Sequence, residues 1–464
     1  MNKNLNYMNE GVAYSVLEVT RDILKYGGKE NEYEDNLSKL GKLVSLTGSS
    51  EVSRDSFNRH PSFLSLCTDI LIDPFTFQFR SEYEKELYIR NLRGVLISGV
   101  ENNYPYFSNC LQAYFQLLAN FFTKGYSIDF KISSLAEAVN EPTLRFIAEQ
   151  DNQDLKSPLN ILLCAILRNR EIGFSMLRDI HYSYFVHFII NQAFEQSRDS
   201  SFSSDLLPLL QTLITREGFG SWIESQGEED LEKNLNLCQL VVTSKADWNL
   251  DESSAIIEWS FRIYSKLAAI SIQLLTSSEA IDVQLVSVHS LLVRCLDIIS
   301  DLCKYDDIRQ LLEQRNAVDS LISLLRATHE NTDIKTPKSK TQAKKPKQNS
   351  PSEPKKNFPL VKSLIIEILS FLCCKSLTTQ EAMRELHGLE LILSNCVIDD
   401  NNPYIKEHSI LCLKFLLDNN QKNQEFIASL EAKKVVDGEA LSKAGYEITI
   451  EEGNVKLKNS SHVK

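Results

Sequence analysis

Residues 361–383 read VKSLIIEILSFLCCKSLTTQEAM, and residues 405–427 read IKEHSILCLKFLLDNNQKNQEFI. The two stretches align without a gap at an interval of 44 residues, which places Phe371 opposite Phe415. An interval near 44 lies in the range of armadillo and HEAT repeats, which are built of two or three helices. Apolar residues spread almost around the first helix, as expected for a helix covered on several sides by neighbours. The sequence therefore predicts an all-α fold, an armadillo-like or HEAT-like α-solenoid.

A third copy of the repeat lies upstream, with Leu302 at the position of Leu372 but 70 residues away. The additional residues fall in the stretch 331–357, which is rich in Lys, Pro, Ser, Thr and Gln and poor in apolar residues. Such a composition cannot bury enough surface to offset the entropy lost on ordering. The sequence predicts a disordered insertion here, between the second and third helices of one repeat.

Three regions follow from this pattern. Armadillo-like repeats are predicted over 1–330, with a weaker junction at about 196–254, and a separate C-terminal domain is predicted over 358–464 after the insertion. Near the end of the chain, YEITIEEGNVKLK alternates apolar and polar residues around Gly453-Asn454, a pattern typical of a β-hairpin. A small hairpin is marginal alone, so we expect it to cap the last helices before a short tail.

The bulk composition restricts the classes of function. A net charge of −12 argues against general affinity for nucleic acid or for an anionic membrane. The N-terminus lacks the pattern of a secretory signal, and no uncharged apolar run reaches the length of a membrane span, so a soluble intracellular protein is expected. Phosphate-binding glycine motifs and a nucleophile elbow are absent from the sequence, which predicts no enzyme and no cofactor.

The cysteines and methionines do not form a metal-binding pattern. The ten cysteines include no Cys-x-x-Cys, and most lie inside apolar helical patterns as buried thiols. The adjacent pair Cys373 and Cys374 is predicted to point to different sides of a helix, and the four methionines are scattered. Copper(I) prefers clustered thiolate and thioether ligands, so no metal site is predicted.

The turn before the helix at 405 is polar. Asp399, Asp400 and Asn401 precede Pro403, and Pro is tolerated in a first helical turn because the missing N–H has no partner there. Acidic and Asn side chains at this place cap a helix and oppose its dipole. We therefore expect these residues to cap the helix that starts at 405.

The region from about 358 to 458 resembles the C-terminal domain of the ataxin-10 family. The resemblance depends on Gln380 in its turn, on GLELIL from Gly388, on NCVIDD from Asn395 and on the pair Asn402-Pro403. It implies a cytoplasmic, non-enzymatic armadillo-like protein that acts through contacts with other proteins. Animal members are associated with neuronal survival and cytokinesis, and yeast members carry a copper-transport label; the family has no catalytic residues to transfer.

The leading functional hypothesis is a scaffold for protein–protein interaction, with regulation of cytokinesis as its process. Alternatives are an adaptor that binds linear basic peptide signals and, with less support, a copper-homeostasis protein. Armadillo import adaptors hold extended peptides with an asparagine ladder, and here the ladder positions carry Asn120 and Asn169, then Asp301, Phe371 and Phe415. The ladder is therefore interrupted, which favours the scaffold.

Two sets of candidate residues follow. The candidate partner-binding residues are Asn120, Asn169, Lys362, Lys406 and His408. The candidate regulatory residues of the insertion are Thr336, Lys344, Lys345, Lys347 and Ser350, because Thr-Pro and Ser-Pro steps accept phosphate and would offset the lysine charge. The expected partners are other proteins, and self-association into a homo-oligomer stays open.

Overall fold

A computed structural model describes residues 153–198, 202–277, 282–335, 356–431, 446–451 and 454–459, with single positions between 112 and 148 and residue 443. Outside two short strands and one isolated bridge, the elements in these ranges are helices, so the all-α class is confirmed. The chain divides into two compact units, Met1–Trp222 and Ile223–Lys464. The boundary between them lies inside the predicted junction at 196–254.

The described part of the first unit holds short helices. They are α1 (Gln153–Leu167), α2 (Arg170–Arg178), a 3-10 turn (Ile180–Tyr182), α3 (Ser183–Ser197) and α4 (Leu206–Ile214); α5 (Phe219–Glu224) crosses the boundary. Helices α1 and α4 pack together, and α1 carries fully buried Leu159 and Leu163. Asn160 of α1 is buried and bonds to Gln192 of α3, so polar contacts also join these helices.

The second unit contains longer helices that recur in order. They are α6 (Glu228–Thr243), α7 (Leu250–Thr276), α8 (Asp282–Leu302), α9 (Asp306–Gln314), α10 (Ala317–Asn331), α11 (Val361–Cys373), α12 (Leu377–Glu385), α13 (Gly388–Ser394), α14 (Ile405–Leu417) and α15 (Gln421–Glu431). Within 282–431 a long helix followed by two shorter ones occurs twice, and α14 and α15 begin a third copy, as the interval of 44 residues predicts. The Lys-rich segment separates α10 from α11.

These helices form two adjacent rows. Helices α6, α8, α11 and α14 pack in succession, and we call them the long row; α7, α10 and α13 pack in succession behind them. The short helices α9 and α12 lie beside α10, where they connect the rows. Each layer covers the next one, so these helices form a solenoid-like stack.

Helix α11 shows why the layers need one another. Ile365, Ile366, Ile368 and Leu369 are all fully buried, although they point around most of the helix. Neighbours α8, α10 and α14 supply the covering surfaces. At roughly 25 cal/mol per Å² of apolar surface, each such side chain contributes about 1.5–3 kcal/mol when it is buried. An isolated repeat would lose most of this contribution.

Three turns of the repeat use a residue with positive φ at the same place in two copies. Asn316 and His387 precede α10 and α13, and Lys375 and Asn419 follow α11 and α14. These polar residue types include Asn, which tolerates the left-handed region comparatively well. The third pair of turns, immediately before α11 and α14, carries the bulkier residues Leu360 and Tyr404.

Strands β1 (Tyr446–Glu451) and β2 (Asn454–Asn459) pair antiparallel near the end of the chain, with Ile448 opposite Leu457. Strand β2 lies beside α15, the last described helix. The capping role that the sequence suggests for this segment stays a prediction.

Candidate interaction surface

The long row leaves one stripe of each helix partly exposed. On α11 the stripe is Leu364, Glu367 and Phe371, three positions on one helical face. On α14 it includes Leu411, which is 42% exposed, and Phe415. Because α11 lies against α14, these stripes adjoin and form one surface of mixed apolar and acidic character.

The predicted ladder positions lie on this surface. Asp301, Phe371 and Phe415 are half-buried near the C-terminal ends of α8, α11 and α14. The main chain repeats there too, since Cys374 N–H donates to Phe371 O and Asp418 N–H donates to Phe415 O, at 3.2 and 3.3 Å. The two phenylalanines therefore occupy equivalent surroundings, as the 44-residue interval predicts. The amide groups that a peptide-binding ladder needs are missing from these three positions.

A loop at 399–403 closes over the start of α11, and we call it the latch. Its Asp399 is buried and pairs with buried Lys362, with 3.0 Å between Nζ and Oδ2. Three more donors reach the same carboxylate: the N–H groups of Lys335 and Asn401, at 3.0 and 3.1 Å, and the Asn402 side-chain amide, at 2.9 Å. The latch thus joins three separate parts of the chain through one buried charge.

These contacts set the pKa of Asp399. Desolvation by burial raises it, but the hydrogen bonds from Lys362, Lys335 and Asn402 and the positive charge of Lys362 outweigh that effect. The pKa of Asp399 therefore lies below its ordinary value, and the carboxylate is charged at neutral pH.

The latch caps a different helix from the one predicted. We expected Asp399 and its neighbours to cap α14, but Tyr404 occupies the cap position of α14 and makes no side-chain cap bond. Instead, Asn402 Oδ1 accepts a hydrogen bond from Lys362 N–H at 3.2 Å, at the start of α11. The polar residues do satisfy a helix N-terminus, but it belongs to the preceding repeat, because the turn folds back across the layer.

Both ends of the predicted insertion are built into the stack. Asn331 is the last residue of α10, Thr332 forms a parallel bridge with Lys356, and Lys335 O accepts from Asp400 N–H at 2.7 Å. Lys356 Nζ donates to carbonyl groups at the end of α7, including Ser277 O at 2.5 Å. Contacts with the stack therefore extend to Lys335 on one side and begin again at Lys356 on the other, inside the predicted limits of 331–357.

The predicted partner-binding residues have different positions. Lys362 is only 1% exposed and paired, so it is not available to a partner in this structure. His408 lies between repeats, 3.3 Å from Ser363 Oγ, while Lys406 is half-exposed. Asn169 is exposed, but its side chain caps α2 by accepting from two backbone N–H groups. Lys362 and Asn169 therefore each make a contact inside the fold.

The other predicted site residues lie outside the described part of the chain. They are Asn120, Thr336, Lys344, Lys345, Lys347 and Ser350.

Gln380 joins consecutive repeats. Its side-chain amide donates to Cys373 O at 3.2 Å and to Phe415 O at 2.9 Å, and its carbonyl accepts from Asn420 at 3.1 Å. Nearby, Arg384 donates to Asn423 at 2.8 Å. The sequence identified Gln380 as a repeated residue without indicating this role, which depends on how α12 and α15 pack.

Sequence reasoning missed Leu360 and Tyr404. They lie 44 residues apart, each between a Pro and a Val or Ile that begins a long-row helix. Both have positive φ, 65° and 62°, and both are exposed, at 41% and 72%. The repeated Pro-Leu-Val-Lys and Pro-Tyr-Ile-Lys segments were a signal that could have found them.

Two thiols approach each other where α11 meets α14. Cys373 and Cys412 are buried and hydrogen-bonded to each other, which together with desolvation raises the pKa of Cys412. Over the described residues, no group of three or more His, Cys, Asp or Glu side chains is arranged to hold a metal ion. In the same residues, no helix is both long enough and apolar enough to cross a membrane.

Comparison with known proteins gives one family. The sequence profile of the spinocerebellar ataxia type 10 protein domain matches residues 361–458. The ataxin-10 homolog of Debaryomyces hansenii is 35% identical, over 98% of this chain and 99% of its own length. The homolog of Candida albicans is 29% identical over 99% and 98%, and that of Saccharomyces cerevisiae is 39% identical over 55% and 50%.

Proposed function

Because the chain belongs to the ataxin-10 family, we propose that it acts as a non-enzymatic scaffold that assembles other proteins on its helical stack. The observation that carries this proposal is the open face of the long row. Large apolar side chains stay exposed on helices of this row, including Leu240, Val286 and Leu411, at 41%, 67% and 42%. Exposed apolar residues on successive neighbouring helices are characteristic of a surface that a partner covers.

Charge on the same face indicates the kind of partner. Asp297 and Asp301 lie one turn apart on α8, and Glu367 lies on the adjoining stripe of α11. Asp301 forms an ion pair with Lys304, with 3.6 Å between Oδ1 and Nζ. Glu367 has no ion-pair partner among the described residues. An acidic face with apolar patches suits partners that carry basic and apolar side chains.

The carboxylates Asp297, Asp301 and Glu367 also support a second candidate function, an adaptor for linear basic peptides. The two functions differ in what they require of the partner. An adaptor would bind a short unfolded peptide as tightly as it binds the whole partner protein from which the peptide is taken. A scaffold would need the folded surface of the partner. The interrupted ladder at Asp301, Phe371 and Phe415 favours the scaffold, because backbone-binding amides are missing there.

Crosslinking of the full chain, purified with its partners, tests the scaffold. We expect crosslinks from folded partners to α8, α11 and α14, and a loss of at least about tenfold in partner recovery for Leu411→Asp. Leu377→Asp is the matched control, because Leu377 is 56% exposed on α12, outside the long row. Equal recovery in both variants, or displacement of partners by a basic peptide alone, would contradict the scaffold.

Cytoplasmic location and a role in cytokinesis are parts of the same proposal, drawn from the family. Depletion followed by imaging of division, with rescue by wild type and by Leu411→Asp, tests the process. Copper handling has the least support, since the buried pair Cys373 and Cys412 supplies only two sulfur atoms. Metal analysis of the purified chain tests that alternative directly.

A further inference from the structure

The turns before α11 and α14 carry an unusual combination of backbone and side chain. Leu360 and Tyr404 adopt φ of 65° and 62°, a region that bulky side chains avoid because Cβ approaches the following carbonyl. At the other described turns with positive φ outside glycine, the same demand is met by polar residues, Asn316, Lys375, His387 and Asn419. The chain therefore keeps two strained residues where Asn or Gly would fit more easily.

Packing inside the molecule explains this choice only in part, because the Tyr404 ring stacks on His408 and Leu360 is partly covered, yet both keep exposed apolar surface. Tyr404 is 72% exposed and Leu360 is 41% exposed, so much of each side chain faces solvent. Residues held in sparsely populated backbone regions cluster at functional sites, where the strain fixes a side chain for contact. Here the strained backbone holds two apolar side chains outward at equivalent places in successive repeats.

More exposed apolar residues follow the same edge. Ile334, Val397 and Ile398 are 42%, 36% and 58% exposed. The latch hydrogen bonds hold their segments together, since Lys335 O accepts from Asp400 N–H and Asn401 O accepts from Leu360 N–H, at 2.7 and 2.8 Å. We call the set Leu360, Tyr404, Ile334, Val397 and Ile398 the latch patch.

From this arrangement, we propose that the latch patch docks an amphipathic helix of a partner protein, with Leu360 and Tyr404 as its two anchors. This inference rests on the proposed scaffold function and names one of its surfaces. Neighbouring helices pack about 8–10 Å apart, so the two anchors are separated by about that distance across the layer. Side chains at positions i and i+7 of a helix are separated by about 10.5 Å along its axis and match this spacing.

Charge at the edge of the patch specifies the flanks of the docked helix. Asp400 and Glu407 are exposed beside the anchors, and among the described residues neither has an ion-pair partner. Asp333 adds a third exposed carboxylate, while Lys335 and Lys406 are at least half-exposed, so the described part of the rim is acidic overall by one charge. A helix with an apolar stripe and Lys or Arg on its flanks would complement this rim.

A defined peptide panel tests the proposal on the full chain. The probes are fluorescent stapled helices with Lys flanks, each with two Leu residues at i and i+4, at i and i+7, or at i and i+11. We expect the i, i+7 peptide to bind at least about tenfold more tightly than the others, and replacement of its Lys residues by Glu to weaken it. No binding by any peptide, or equal binding by all three, would overturn the proposal.

Two substitutions separate docking from a structural role. Leu360→Asn and Tyr404→Asn relieve the backbone strain while removing the anchors, so we expect each to raise the melting temperature by roughly 2 °C and to weaken the i, i+7 peptide about tenfold or more. Leu377→Asn, at an exposed Leu on another edge, should leave peptide affinity unchanged. A fall in melting temperature for both variants would show that the side chains serve packing and would overturn the proposal.

Sedimentation of the wild type and of the double variant Leu360→Asn with Tyr404→Asn tests whether a second copy of this chain covers the patch instead. We expect the same oligomeric state for both. A loss of self-association in the double variant would assign the patch to a second copy of this chain instead. The peptide assay tests only the latch patch and needs no cellular partner. If it fails, the crosslinks of partners to the long row still decide whether the protein is a scaffold.

Discussion

Helices α11 and α14 each begin with a β-branched apolar residue followed by Lys, but these lysines have different environments. Lys362 is 1% exposed and ion-paired, whereas Lys406, 44 residues later, is half-exposed. The partner of Lys362 is Asp399, which the next repeat supplies through the latch. The residue 44 positions after Asp399 is Lys443, which cannot form such a pair with Lys406. The same residue at the same helix position is therefore buried in one repeat and half-exposed in the next.

The glutamines of the two repeats also share one hydrogen bond and differ in another. Gln380 and Gln424 each donate to the carbonyl seven residues earlier, at 3.2 and 2.8 Å. Among the described residues, only Gln380 of the two also donates to the following repeat, at Phe415 O, 2.9 Å away. Bonds within a repeat and bonds to the preceding repeat recur in both copies, but bonds to the following repeat depend on the sequence of that next layer.

The largest expected effect comes from breaking the buried ion pair. Asp399→Ala leaves the Lys362 ammonium buried without its counter-charge, and we expect a loss of about 3–5 kcal/mol in the free energy of unfolding. Lys406→Ala, at the equivalent place in the next repeat, should change it by less than about 0.5 kcal/mol. Urea unfolding followed by circular dichroism measures both.

The double variant Lys362→Met with Asp399→Asn sharpens this comparison. It removes both charges, so it should be more stable than Asp399→Ala despite carrying two changes. A loss shared equally by Asp399→Ala and Lys406→Ala would contradict the difference between the repeats.

The same pair predicts a dependence on pH. Since the folded pKa of Asp399 is lowered, its contribution to stability is present above the ordinary value of 3.8 and is lost as the pH falls through the folded pKa. Urea midpoints measured from pH 6 down to about 2 should show this acid loss in the wild type and a smaller loss in Asp399→Asn. An identical acid profile in the two proteins would assign the loss to other carboxylates.

A smaller difference is expected between the glutamines. Gln380→Ala leaves the side-chain N–H groups of buried Asn420 without a partner and removes one of the two hydrogen bonds that Phe415 O accepts, and we expect a cost of about 2–3 kcal/mol. Gln424→Ala removes one bond near the surface and should cost about 1 kcal/mol. The two unfolding midpoints test this order, and a greater loss for Gln424→Ala would reverse our account of the layers.

The smallest difference between the repeats is expected at their helix caps. Ser376 and Asn420 cap α12 and α15, accepting from backbone N–H groups at 3.2 and 3.1 Å, and each also donates to the preceding repeat. Ser376→Ala should cost about 1 kcal/mol, the usual cost of a lost cap. Asn420→Ala should cost about 1 kcal/mol more, because it also leaves the buried Gln380 side-chain carbonyl without a partner. A greater loss for Ser376→Ala in urea unfolding would contradict this order.

The sequence predicts the parts of the fold that depend on local pattern. The interval between Phe371 and Phe415 identified the repeat and placed the insertion between α10 and α11. Lys362 was misjudged as a surface residue, because its burial depends on a loop 37 residues away in the chain. Asn402 likewise caps a helix in the preceding layer, which no local capping rule indicates. Contacts between layers were therefore the part that sequence pattern could not supply.

The pairing of Thr332 with Lys356 bears on how this protein can be modified by design. The residues on the two sides of the connection are neighbours in space, so the points that any connection must join are already adjacent. Each doubling of such a connection costs only about 0.6 kcal/mol in closure entropy. A fluorescent domain or an affinity tag could therefore replace the connecting residues without disturbing the described helices on either side.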